Sequence, residues 1–123
     1  MAKYERRLSG NFDSLLQTLD QEILGRNISA DRQDGSDFAV ANVRCAVRVY
    51  ERYSVIGRGR VAANITLLGV GEDLSLSIIA VGGSQAIFLK INTLGEQSFL
   101  DDIIPIIESW EKQQVAGPQS EPS

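Results

Sequence analysis

From Val43 to Ile91 the side chains change sides with every residue. Val43, Cys45, Val47 and Val49 fall on one side of the chain, and Arg44, Ala46, Arg48, Tyr50 and Arg52 on the other. A two-residue period rich in β-branched residues is the pattern of a strand with one buried face. Val61, Ala63, Ile65 and Leu67 repeat it against Ala62, Asn64, Thr66 and Leu68. Leu74, Leu76, Ile78 and Ala80 repeat it against Ser75, Ser77, Ile79 and Val81, and Gln85 to Ile91 reads as a further strand. Glycine-bearing turns at 57–60, 69–73 and 82–84 separate the runs. Strands joined by such short turns form a meander, so the sheet is antiparallel.

Helical periods flank this core. Phe12, Leu15, Leu16, Leu19 and Ile23 recur every three or four residues, with Asp13, Gln17, Asp20 and Gln21 opposite. The spacing predicts a helix from Asn11 to Leu24, capped by Asn11, favoured by Asp13 in its first turn and stopped by Gly25. Residues Asn27 to Gln33 read as a short strand, and Asp34-Gly35-Ser36-Asp37 as a turn. Phe99, Leu100, Ile103, Ile104, Ile107 and Trp110 form a second helical stripe. Pro105 inside it either kinks the helix or divides it near Ile104. The domain is expected to span 1–112, and the Gly, Pro, Ser and Gln of the remaining 113–123 read as a disordered tail. The expected fold is α+β in two layers. An antiparallel meander sheet of four or five strands carries the N- and C-terminal helices on one face and leaves the other open.

Composition narrows the chemistry. The 123 residues suit one domain, and 43% apolar with 23% charged is ordinary for a globular chain. A net charge of −4 repels polyanions, so nucleic acid and anionic membrane surfaces are not expected partners. There is no histidine, which removes the commonest general base, zinc ligand and partner for a nucleophile. Cys45 is the only cysteine and reads as a small core residue; no disulfide can form within the chain. The charged opening segment has no apolar signal-type run, and no run reaches membrane-spanning length, so a cytoplasmic location is expected. No cofactor is expected.

Three patterns imitate chemistry. Gly57-x-Gly59-x-x-Ala62 fits a relaxed dinucleotide fingerprint, but a strand rather than a helix follows it. Asp31, Asp34 and Asp37 surround Gly35 without the alternate-residue ligand spacing of a calcium loop. Asp101 and Asp102 are helix neighbours that point apart.

The open face carries the functional question. On the expected register it presents Arg44, Ala46, Arg48, Tyr50 and Arg52, with Lys90 near it on the last strand. Arginines on a sheet surface commonly just pair with cross-strand neighbours. Two functional readings stand beside that one. In the first, the face belongs to a non-enzymatic interaction module that self-associates, giving a homo-oligomer. In the second, Arg44 and Arg48 lean over the small Ala46 to clamp a small anionic ligand, with Tyr50, Arg52 and Lys90 nearby, in a binding protein or an atypical enzyme.

The stretch Asn42-Val43-Arg44-Cys45-Ala46-Val47-Arg48-Val49-Tyr50-Glu51-Arg52-Tyr53-Ser54 carries a resemblance. Gly82-Gly83-Ser84-Gln85-Ala86, Phe88-Leu89-Lys90-Ile91-Asn92-Thr93 and the opening Met1-Ala2-Lys3-Tyr4-Glu5-Arg6-Arg7-Leu8 share it. Together they resemble a small bacterial family of unknown function, over about residues 1 to 112. The resemblance implies a free-standing bacterial cytoplasmic protein and supplies no activity, ligand or catalytic residue.

Overall fold

A computed structural model describes residues 1–54, 59–82 and 89–120. The elements run β1 (Ala2–Ser9), α1 (Phe12–Ile23), β2 (Asp31–Val40), β3 (Val43–Ser54), β4 (Gly59–Val70), β5 (Asp73–Gly82) and α2 (Leu89–Ser120). The five strands form one sheet in the order β1-β5-β4-β3-β2, antiparallel throughout. Both helices pack on one face of it, giving the two-layer α+β fold that the alternation predicts.

The fifth strand is not the one expected. Leu89 to Ile91 belong to α2, and residues 85–88 lie outside those described. β1 takes the place beside β5, with Leu8 opposite Leu74 and Ala2 opposite Ala80. Its inward row is Ala2, Tyr4, Arg6 and Leu8, and Arg6 is accommodated by Glu111 of α2 and by the Tyr4 hydroxyl, 3.1 Å away. The element order is therefore β-α-β-β-β-β-α, not α-β-β-β-β-β-α.

The expected turn at 34–37 is also overturned. β2 runs straight through it and turns only at Ala41-Asn42, with Ala41 in left-handed backbone at φ 55°. A bulge between Arg32 and Asp34 resets its register against β3. Gly35 lies opposite Arg48, and a Cβ there would sit 3.1 Å from the Arg48 side chain and 3.0 Å from the Val47 carbonyl oxygen. The glycine serves close approach, not a turn.

α1 matches its sequence signature. Asn11 caps it, accepting the Ser14 N–H at 2.8 Å, and Phe12, Leu15, Leu19 and Ile23 are buried. The Leu24 and Gly25 N–H groups bond back to the Asp20 and Glu22 carbonyls, so the helix ends where Gly25 predicts. α2 is one helix through Pro105, which lies on its exposed side; division near Ile104 does not occur. It begins ten residues before the stripe that announces it, and it continues to Ser120, past residue 113.

The core joins these layers. Val61, Ala63, Ile65 and Leu67 of β4 and Leu74, Leu76, Ile78 and Ala80 of β5 meet Phe99, Leu100, Ile103, Ile107 and Trp110 of α2 and the buried row of α1. Trp110 donates its indole N–H to Ser14 Oγ at 3.1 Å, joining the two helices. Gly69 admits the Phe12 ring, which a Cβ would meet at 2.6 Å. At the far end of the sheet the buried Glu96 accepts the Gly82 N–H at 2.6 Å and pairs with the Met1 amine.

Candidate functional site

β3 decides which face is which. Ala46 and Tyr50 are buried among the core residues, at 1% and 0% exposure. The register sets Tyr50 beside Ala63 and Ala46 beside Leu67, both inward residues of β4. Arg44, Ala46, Arg48, Tyr50 and Arg52 therefore face the helices, and Val43, Cys45, Val47 and Val49 face outward. This reverses the assignment expected from the sequence for β3, while β4 and β5 keep theirs. The reason is that β3 lies near the margin of the helical layer, where acidic side chains rather than apolar ones await it.

Each arginine of the row has an acidic partner, Arg44 and Arg52 on the helices and Arg48 on the neighbouring strand. Arg44 grips Asp13 of α1 with both Nη atoms, at 3.0 and 2.9 Å, and its guanidinium lies 4.2 Å from the Phe12 ring centroid. That fork lowers the Asp13 carboxyl from its ordinary value and raises the Arg44 guanidinium. Arg48 folds across Gly35 to Asp37 at 3.1 Å and donates to the Val47 and Ser36 carbonyls at 3.0 and 3.3 Å. Arg52 reaches α2, pairing with Asp102 at 2.8 Å and lying 4.5 Å over the Phe99 ring. The Tyr50 hydroxyl donates to Asp20 Oδ1 at 2.9 Å, and Arg32 donates to the same oxygen at 3.2 Å. Burial first, and then the bond to Asp20, push the Tyr50 hydroxyl well above its ordinary value.

The two guanidiniums expected to converge above Ala46 do not. Arg44 turns to α1 and Arg48 to β2, and the Ala46 position is filled core. Lys90 stands in the first turn of α2 rather than on a strand, and its side chain lies outside the described residues. Among the described residues no group of three acidic or cysteine side chains is arranged to hold a metal. No helix is long and apolar enough to cross a membrane.

Among the described residues, no helix lies on the other face of the sheet. Its rows follow from the register. Phe38, Cys45, Leu68, Ser75 and Arg7 form one row across all five strands. Ser36, Val47, Thr66, Ser77 and Glu5 form the next, and Asp34, Val49, Asn64, Ile79 and Lys3 the third. Val40, Val43 and Val70 close the end of the face beside the two hairpin turns. Phe38 is 58% exposed, Val40 74% and Leu68 43%. The Cys45 thiol lies within this apolar corner, half-buried, and not in the core. The serines of β5 leave a shallow trough of about 410 Å³ between Leu68 and Arg7. This face was missed as an apolar surface because its valines look like core. The signal available was the number of arginines, more than a surface strand needs, each matched by an aspartate elsewhere in the chain.

A five-stranded antiparallel sheet with two helices on one face and a partly apolar second face defines a small α+β domain. The chain belongs to the family of unknown function DUF6054, whose pattern matches residues 1–111. No curated protein and no solved structure matches it.

Proposed function

We propose that this chain is a non-enzymatic interaction module that self-associates through the open face of its sheet. One observation carries the reading: Val43, Cys45, Val47 and Val49, with Phe38, Val40, Leu68 and Val70 around them, make a continuous apolar surface that no element among the described residues covers. Scattered surface apolar residues are ordinary, but a contiguous patch of strand residues is the hallmark of an interaction site. The arginine clamp has no comparable support, since Arg44, Arg48 and Arg52 each already hold a carboxylate. A bacterial, cytoplasmic setting accompanies the proposal, supported by the lone free thiol and the family resemblance.

Sedimentation velocity across a concentration series tests it. The wild-type chain is expected to shift toward dimer mass as concentration rises. Val47→Lys, which places a charge in the centre of the patch, is expected to stay monomeric while still unfolding in one cooperative, concentration-independent transition. A wild-type mass that stays monomeric up to about 1 mM would remove the proposal.

A further inference from the structure

We infer that the occupant of the open face is a second copy of this chain, packed face to face about a two-fold axis that runs along β4. The inference rests on the self-association proposed above and specifies its geometry.

The sheet order places β4 at the centre, with β5 and β1 on one side and β3 and β2 on the other. A two-fold axis parallel to the central strand lets the two sheets overlap completely. β5 then lies over the partner's β3, and β1 over the partner's β2. The strands stay near-aligned, as in the usual sheet-on-sheet packing. The size fits. Five strands about 4.8 Å apart and about eight residues long at ~3.4 Å each give a footprint of roughly 650 Å² per copy. Two such faces bury about 1,300 Å², within the range of stable specific interfaces. Any axis that displaces the sheets falls below it.

The same operation matches the chemistry row by row. In the first row Leu68 meets the partner's Leu68 on the axis, and Phe38 comes under the partner's Arg7, which has no ion pair among the described residues. In the second row Val47 descends toward the partner's Ser77, into the trough that the small β5 side chains leave. In the third row Val49 covers the partner's Ile79, and Asp34 faces the partner's Lys3. Among the described residues, Asp34 bonds only to its neighbouring Gly35 N–H, and Lys3 only weakly approaches Glu5, at 4.0 Å. Each opposite-charge contact occurs twice, once on each side of the axis. An axis perpendicular to the strands would instead lay the valine end of the face on the end bearing Glu51 and Arg60.

Charge reversal and cross-linking test this arrangement in the full-length chain. Lys3→Asp and Asp34→Lys each place like charges across the interface twice, and each is expected to weaken the dimer about tenfold or more. The double variant Lys3→Asp/Asp34→Lys is expected to recover near wild-type association. Leu68→Cys in a Cys45→Ser background is expected to give a disulfide-linked dimer on mild oxidation; Leu68 is exposed, so the substitution leaves the fold intact. A dimer that Val47→Lys disrupts, but that neither cross-links through position 68 nor recovers in the double reversal, overturns the β4 axis and leaves the self-association standing. A wild-type chain that never dimerises overturns both.

Discussion

β3 and β4 are neighbours of equal length, yet they divide their side chains by opposite rules. β4 sends Val61, Ala63, Ile65 and Leu67 inward and Asn64 and Thr66 outward. β3 sends three arginines inward, around Ala46 and Tyr50, and four apolar side chains outward. The difference lies in what stands above each. β4 is roofed by apolar helix stripes. Over β3 the helices present their margins, Asp13 and Asp20 of α1 and Asp102 of α2. Arginine suits such a margin, because its aliphatic stem packs on the core while its fork reaches a carboxylate. Inwardness in this molecule follows from the partner overhead, not from hydropathy.

Four measurements can break or sharpen that contrast. The largest effect is expected at Tyr50. Tyr50→Ala empties a fully buried site and should cost about 3–5 kcal/mol in chemical denaturation, against less than about 1 kcal/mol for Val49→Ala next to it. Equal costs would mean that both faces of β3 are dry. On β4, Gly69→Ala drives a methyl group into the Phe12 ring and should cost about 1–3 kcal/mol. Tyr50→Phe keeps the packing and loses the bond to Asp20, at about 0.5–1.5 kcal/mol near neutral pH. Its pH dependence has a definite sign. The Tyr50 hydroxyl is raised in the folded chain, so its contribution is complete below the ordinary tyrosine value of about 10 and is lost as pH climbs from there toward the folded value. Tyr50→Phe should therefore show a shallower alkaline loss of stability than wild type. The smallest effect is at Asp13, which is open to water. Its carboxyl should titrate below the ordinary aspartate value by carbon-detected NMR and return upward in Arg44→Ala. Support from that pair exists above the ordinary value and fades as pH falls through the lowered one.

The same contrast separates what the residues disclosed from what they concealed. β4, β5 and the cap and stripe of α1 could be read directly, because their inward residues are all apolar and their periods uninterrupted. β3 could be located but not oriented: its alternation is as regular as that of β4, and the more apolar row is the one turned away from the helices. β1 went unread because Lys3, Glu5, Arg6 and Arg7 mask a period that needs Glu111 from the other end of the chain to be completed. Asp34-Gly35 has the composition of a turn, and only the close approach of Arg48 explains the glycine in a strand. Of the five residues proposed for a ligand site, Arg44, Arg48, Tyr50 and Arg52 do share one face, but Arg44, Tyr50 and Arg52 serve as struts to the helices and Arg48 ties β3 to β2. The surface that stands free is lined by their odd-numbered neighbours.

The first strand closes the sheet beside the last, and this has a consequence for biosynthesis. As the chain leaves the ribosome, the β2 to β5 meander can zip up through successive hairpins, each using residues just made. β1 emerges first but has no partner until the segment holding Leu74 and Ala80 arrives, and Arg6 must wait longer still for Glu111. During that delay β1 is an unpaired segment with strand-forming character. The nascent protein is most vulnerable to capture by the wrong edge in that interval.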